Sequence, residues 1–347
     1  MPRSRFFRYV KTRFLAALML GMVGPVWAQT EMIVSGPVYA SNSQTSLFSQ
    51  EMAQQSLLQT LARQTTENAP GKDTGFWMEN DDSFGSTANT STPQTFNQSD
   101  TLFMAGDSFQ MGDGLIGGLN AGYLQSQSNS ADGLSGIAMK GWEVGLIAVK
   151  RGTMDFTAEA SFGFDNYMSS RSVVIGSDVS QAQGIFNGIQ FGLSAQVGLP
   201  WESEGLKLEP LVGLRWCRLG MNAFTETGAD PLNLAVSAQS YDAISPYLGM
   251  SGSRNFDLGK NSLLTPFFNL TLSRDLLDET PSYQAALSGA PSNSFTVTGN
   301  TPDPLLWGAG GGVQFSLNDA KFYAAYNGFF NSSQNLNALQ VGLSLAL

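Results

Sequence analysis

From about Gly75 to the C-terminus the chain alternates apolar and polar residues with a period of two, segment after segment. In Met154-Asp155-Phe156-Thr157-Ala158-Glu159-Ala160-Ser161-Phe162 the even positions are apolar and the odd ones mostly polar. Leu206, Leu208, Pro210, Val212, Leu214 and Trp216 alternate in the same way with Lys207, Glu209, Gly213, Arg215 and Cys217. The last segment sets Leu339, Val341, Leu343, Leu345 and Leu347 against Gln340, Gly342, Ser344 and Ala346. Such alternation describes a strand with one greasy and one polar face. Two architectures bury the greasy face: a soluble sandwich that turns it inward, or a membrane barrel that turns it out to lipid.

Three features favour the barrel. The apolar runs last ~9–11 residues, the length that crosses the hydrocarbon at a tilt of ~45°. The opposite face carries Gly, Ser, Gln and isolated charges, as a lumen does. In lipid the strands must also close on themselves, since an open edge leaves backbone groups unpaired. The spacing predicts twelve antiparallel strands, starting near residues 75, 101, 115, 140, 153, 184, 206, 241, 263, 304, 321 and 336. Tight turns are expected at Met111–Gly114, Arg151-Gly152, Glu202–Gly205, Asn255–Asn261 and Asn318-Asp319. Longer polar loops are expected near 84–98, 126–138, 166–183, 220–240 and 276–303. Short turns on one side and long loops on the other are the habit of an outer-membrane barrel.

Composition agrees. Only 13% of the 347 residues are charged, about half the usual ~25%, and Gly supplies 38 of them. The first 28 residues read as an export signal: Arg3, Arg5, Arg8, Lys11 and Arg13, then the apolar run Phe14–Val23, then Val26-Trp27-Ala28. Removing those five basic residues leaves 13 basic against 28 acidic residues, a net charge of −15, which argues against nucleic acid as a partner. The chain has no histidine and one cysteine, Cys217. A disulfide framework and histidine-dependent hydrolysis are therefore excluded, and no catalytic residue or cofactor site can be singled out.

Once the strands are placed, the second half resembles the autotransporter β-domain family of Gram-negative outer membranes. The resemblance is carried by Leu208-Glu209-Pro210-Leu211-Val212-Gly213-Leu214-Arg215-Trp216, then Phe224-Thr225-Glu226-Thr227-Gly228-Ala229, then Leu232–Gln239. Glu209, Pro210, Phe224, Glu226, Gly228, Ala229 and Gln239 are its motif residues, and Trp77, Arg171 and Tyr326 fall where the family tends to place such residues. The chain departs at Arg274, where the family often has His, at Ser245-Pro246, and at Leu347, where it usually ends in Phe or Trp. The resemblance implies a translocator or anchor for the segment ahead of the barrel, with little or no passenger. It also implies an assembly signal in Leu343, Leu345 and Leu347, and as partners outer-membrane lipid or lipopolysaccharide, the barrel-assembly machinery and periplasmic chaperones. A monomer is expected. A passive pore and an adhesin acting through the long loops are the alternatives.

Residues 29–74 would form a short segment before the barrel, with a helix from Thr45 to about Thr65 that the resemblance places in the lumen as a linker or plug. Glu143, Asp155, Glu159, Lys207, Glu209 and Arg215 are expected to face that lumen and to form a charge network with Arg63. Gly188, Gly192, Gly213, Gly308, Gly310 and Gly312 would leave room inside. Trp77, Trp142, Trp216, Trp307, Tyr326, Phe329 and Phe330 suit aromatic girdles at the two membrane surfaces. Asp81-Asp82 and the acids Asp275, Asp278 and Glu279 could hold a divalent cation, and the same spacing is common on solvated loops, so no metal site is assigned.

Overall fold

The computed structural model describes residues 32–34, 75–88, 95–112, 114–277, 280–299 and 303–346. Twelve strands form one closed antiparallel barrel. They are β1 (Gly75–Ala88), β2 (Thr95–Gly112), β3 (Leu115–Ser130), β4 (Ser135–Lys150), β5 (Asp155–Ile175) and β6 (Asp178–Gly198). The second half comprises β7 (Leu206–Met221), β8 (Gln239–Arg254), β9 (Ser262–Arg274), β10 (Leu305–Leu317), β11 (Ala320–Phe330) and β12 (Gln334–Ala346). Each strand pairs with its neighbours in sequence, and β12 closes on β1 from Gln334↔Thr87 to Ala346↔Gly75. The backbone hydrogen bonds are thus satisfied around the ring, the condition for crossing lipid with strands.

Side-chain parity gives the orientation. On β4 the outward residues are Trp142, Val144 and Leu146, all more than half exposed, while Glu143 between them is buried. On β5, Phe156, Phe162 and Phe164 point out and Asp155, Glu159 and Asp165 point in. Apolar groups exposed and polar groups buried is the inverse of a soluble sandwich, and only a hydrocarbon solvent makes it favourable. On β4 the outward apolar run is bracketed by Lys140 and Lys150. At ~3.3 Å per residue and a tilt of ~40° that bracket is about 25 Å tall, the height of a membrane barrel's apolar band.

One end of the barrel carries the short connections, the β2–β3, β4–β5, β6–β7, β8–β9 and β10–β11 turns, together with both barrel termini, Gly75 and Ala346. The other end differs from the expectation of five long loops. The stretches 84–98, 126–138 and 166–183 are largely strand: β5 and β6 are 21 residues each and meet in the tight turn at Gly176. Among the described residues the long connections at this end are 222–238 and that between β9 and β10, and they fold together. Phe224–Thr225, Leu234–Val236, Ser282–Leu287 and Ser294–Thr298 form a four-stranded sheet across this end. Residues Met32–Val34 pair with Val173–Ile175 near the tip of β5. The export signal, the helix at 45–65, Arg63 and Leu347 lie outside the described residues.

Candidate functional site: the barrel lumen

All six lumen candidates in the barrel, Glu143, Asp155, Glu159, Lys207, Glu209 and Arg215, sit on inward positions of β4, β5 and β7. They line one side of the lumen as a wall of charge. Asp155 pairs with Arg151 at 2.5 Å and also takes the Gly152 amide at 3.1 Å. Glu159 accepts from Ser194 at 3.3 Å. The Arg215 guanidinium lies over the Tyr247 ring, 4.8 Å from its centroid, and the Tyr247 hydroxyl donates to Gln196 at 3.0 Å.

The opposite wall is a relay of polar side chains that sequence reasoning missed. Asp81 accepts from Gln340 at 2.8 Å, Gln340 from Asn327 at 2.9 Å, and Asn327 from Asn269 at 3.1 Å. Asp100 accepts from Ser83 and Gln98, and Glu79 from Tyr323. The last link of the relay crosses β10 at Gly310, where a Cβ would run into both asparagine side chains. The lumen glycines are therefore not empty space. The Tyr247 ring fills the position beside Gly213, and Phe267 and the β11 backbone fill that beside Gly312. Neighbouring strands take the room that the missing side chains leave.

The aromatic set splits by parity. Trp142, Trp216, Trp307, Tyr326 and Phe330 face outward, as girdle residues do. Trp77 and Phe329 are instead inside and buried. Trp77 is in phase with Glu79 and Asp81 and packs on Gly106 of β2. Phe329 is in phase with Asn327 and packs with Leu336 and Ala338. Cys217 is buried on the lumen parity of β7. Among the cation candidates, Asp275 accepts from the Ile244 and Leu277 amides, and Asp82 from Asn80 and Thr101. Asp278 and Glu279 lie outside the described residues. The Gly308–Gly312 run is interior to β10 and paired on both sides.

At the loop end five of the seven motif residues, Phe224, Glu226, Gly228, Ala229 and Gln239, lie with Arg171, whereas Glu209 and Pro210 are near the turn end of β7. Arg171 on β5 grips Glu226 with two nitrogens, Nε at 3.0 Å and a terminal nitrogen at 2.5 Å, and the latter also donates to the Leu232 carbonyl at 3.0 Å. The Leu234 amide donates to the same Glu226 carboxylate at 2.8 Å. Both charged side chains are almost wholly buried. Phe224 stacks on Phe186, centroids 4.2 Å apart, and Phe186 stacks on Tyr167 at 4.9 Å. Gly228 has φ +99° and lies against the Gln181 carbonyl, a conformation and an approach that a side chain would oppose. The Ala229 amide donates to Asn233, and Tyr241 bonds to Gln239 and to the Ser282 carbonyl. Residues 222–238 thus form a strap tied to the barrel wall, with the 282–298 hairpin on its far side. Tyr283 of that hairpin is buried beside Glu226, and burial pushes its hydroxyl well above the usual range.

A second tie holds the long connection to the last turn. Asp303 accepts from the Ser332 hydroxyl at 2.5 Å and from the Leu305 amide at 3.0 Å. Those bonds, the Ser332 hydroxyl foremost, hold its carboxyl below the usual range. A depressed native pKa means that the tie is at full strength above the ordinary aspartate value of ~3.9 and is lost as pH falls through the lower, folded value. The protection factors of the Leu305 and Ser332 amides, exchange rates corrected for their intrinsic pH dependence, are expected to stay constant from pH 7 to 5 and to fall only below the ordinary value. Asp303→Asn should give the lowered protection at every pH.

Comparison with known proteins agrees with this architecture. The autotransporter β-domain model matches residues 76–327. Among solved structures, the translocator domain of the autotransporter NalP from Neisseria meningitidis is similar at 18% identity. It covers 89% of this chain and 99% of that one, with a TM-score of 0.69. The β-domain of the Bordetella autotransporter Brka is similar at 13% identity, with coverage of 79% and 99% and a TM-score of 0.55. The transport unit of AIDA-I from Escherichia coli is similar at 11% identity, with coverage of 89% and 98% and a TM-score of 0.55. No protein of curated function matches the sequence. With most of its length matched by the family model and with a closed, outward-apolar barrel, the chain belongs to the autotransporter β-domain family of outer-membrane proteins.

Proposed function

We propose that this barrel anchors the segment before Gly75 in the outer membrane and carries that segment across it, with little or no separate passenger. The carrying observation is topological. Gly75 enters β1 at the turn end, whereas Met32–Val34 pair with β5 at the loop end, which supports a connecting segment that crosses the membrane. A helix at 45–65 would be ~30 Å long at 1.5 Å per residue, enough to span the ~25 Å band through the lumen. Buried lumen atoms support an occupant: Glu159 Oε1, Asp165 Oδ1, Asp81 Oδ1 and both polar atoms of Asn120 have no hydrogen-bond partner among the described residues. Unpaired buried polar groups are costly, and Arg63 of the threaded segment is the cation we place against the Glu143–Glu159 wall.

On this reading Leu343 and Leu345, outward on β12, and Leu347 present the chain to the barrel-assembly machinery after periplasmic chaperones deliver it. The finished monomer then sits among outer-membrane lipid and lipopolysaccharide. No role in the lumen requires catalysis, and a chain without histidine has no imidazole base to offer. Deleting residues 29–70 tests the proposal through single-channel conductance in planar bilayers. Conductance is expected to rise several-fold when the lumen loses its occupant, and an unchanged, small value would sink the threaded segment. Folding of each variant is read from heat-modifiable gel migration.

Surface binding is a second reading, favoured by one feature. The β5–β6 ribbon projects beyond the Lys140 level with Met168 and Ile185, register partners, 64% and 74% exposed. The long connections near 220–240 and 276–303 pair with each other over the mouth, which leaves the outward face of this ribbon as the surface for binding. Protease shaving of intact cells followed by a cell-adhesion assay separates the two readings.

A further inference from the structure

The four-stranded sheet at the loop end grows out of the barrel wall. Its pair Phe224↔Val236 keeps the register of the β7–β8 ladder, whose last pair is Met221↔Gln239. Thr227 bridges to Gln183 of β6. The strands of the sheet therefore run with those of the barrel, and its β6 side is held by the wall. The opposite edge is Ser294–Thr298, which pairs with Ser282–Ala286 on one side and with nothing on the other among the described residues. Sheet edges are ordinarily blunted by a charge, a proline or a bulge. Ser294-Phe295-Thr296-Val297-Thr298 has none of these, and all but Val297 are exposed. No charged residue stands between Glu279 and Asp303.

Hydrogen-bond phase decides what this edge offers. The Gly299 amide donates to the Pro281 carbonyl, and the Ser237 amide to the Gln284 carbonyl on the other side of the hairpin. Bonded and non-bonded pairs alternate in an antiparallel ladder. Phe295 and Val297 therefore turn their backbone groups to Ala285 and Tyr283, and Ser294, Thr296 and Thr298 turn theirs outward. A second copy laid antiparallel, with Thr296 opposite Thr296, satisfies every one of those outward N–H and C=O groups. The same register sets Phe295 opposite Val297 in the closer, non-bonded pairs and Ser294 opposite Thr298. Aromatic–β-branched and Ser/Thr pairs are cross-strand contacts that stabilise a sheet. The edge is complementary to itself.

We infer that Ser294–Thr298 is a docking edge for a second copy of this chain in a facing membrane. Antiparallel pairing turns the second copy over about an axis through Thr296 normal to the sheet. Because the sheet continues the wall, the two barrels then meet loop end to loop end, each a complete monomer in its own bilayer. A five-residue edge is far smaller than a standard interface of ~1,600 Å². One pair is therefore weak, and many copies in two apposed membranes supply the avidity. The inference needs only a loop end that faces out of the cell and does not depend on what crosses the lumen.

The experiment uses residues 29–347 in phosphatidylcholine vesicles, with folding checked by heat-modifiable gel migration. Vesicle clustering, read by light scattering, is expected to exceed that of protein-free vesicles at least fivefold. It should persist in about 1 M salt, where charges are screened beyond ~3 Å. Thr296→Pro removes an outward amide that the hairpin ladder does not use and should lower clustering at least fivefold. Thr296→Val loses the hydroxyl that Gln284 reaches at 2.6 Å but keeps the amide, and should cluster like wild type. Vesicles bearing Phe295→Cys, mixed with vesicles bearing Val297→Cys, should give a disulfide-linked dimer across the two populations on mild oxidation; the native Cys217 is buried. No clustering by the folded wild type, clustering that Thr296→Pro leaves intact, or cross-links confined to one population overturns the docking edge.

Discussion

Glu226→Ala is expected to open the loop end of the barrel while leaving the wall folded. In the native protein Glu226 receives two bonds from Arg171 and one from the Leu234 amide, and its side chain is fully buried. Truncation leaves the Arg171 guanidinium buried with its main counter-charge gone, which costs about 3–5 kcal/mol. The wall does not bear that cost, because the β5–β6 pairing runs from Asp155 to Ile175 without reference to the strap. The strap bears it, since releasing residues 222–238 rehydrates the arginine. At ~1.4 kcal/mol per decade, the open fraction should rise by about two to three and a half orders of magnitude.

The measurement is limited proteolysis of the folded barrel, with hydrogen exchange across 222–238 and 282–298. Both segments should lose protection together, because Leu234–Val236 pairs with Ala285–Leu287. Glu226→Gln keeps an acceptor for the Leu234 amide and should open less. The double change Arg171→Met/Glu226→Leu removes both buried charges and should lie closer to wild type than either single loss of charge. That ordering separates an ion-pair clamp from simple loss of packing. Protection of the strap in Glu226→Ala equal to wild type would refute the clamp.

The two members of this clamp illustrate what a sequence discloses and what it withholds. Arg171 and Glu226 each stand out by resemblance, yet they are 55 positions apart and no local periodicity joins them; only the fold brings β5 under the strap. Strand phase, by contrast, is written locally. The alternation starts β1, β3 and β7 at residues 75, 115 and 206, where the strands do begin. It fails at the loop ends of β2, β4 and β6, which begin at 95, 135 and 178 and not at 101, 140 and 184. The reason is solvent. Above the Lys140 level the outward positions face water, and Asn97, Ser99, Gln127 and Asn129 are polar there. The ladder of backbone bonds continues while its hydropathic signature stops. Trp77 and Phe329 depart from the girdle expectation for a different reason: each falls in register with inward polar residues on its own strand, and phase outranks residue type.

Phase also sets the sharpest test of the whole architecture. Leu146 lies on the outward face of β4 between Val144 and Ala148, well inside the bracket set by Lys140 and Lys150, and is 58% exposed. Leu146→Arg places a guanidinium in hydrocarbon, where water cannot solvate it, at a cost of about 2–4 kcal/mol near the midplane; the bracketing lysines, at the interfaces, cost ~0–1 kcal/mol. Ser194→Lys provides the counterpart on the other parity. Ser194 faces the lumen and donates to Glu159, whose second oxygen is buried without a hydrogen-bond partner, so a cation there gains a counter-charge. Urea unfolding in lipid bilayers, followed by tryptophan fluorescence, should show a large loss for Leu146→Arg and little or none for Ser194→Lys. A soluble sandwich predicts neither result, because its outward positions meet water and its inward ones meet an apolar core. Equal stability of Leu146→Arg and wild type would remove the lipid from the outer face, and with it the reason for closing twelve strands into a ring.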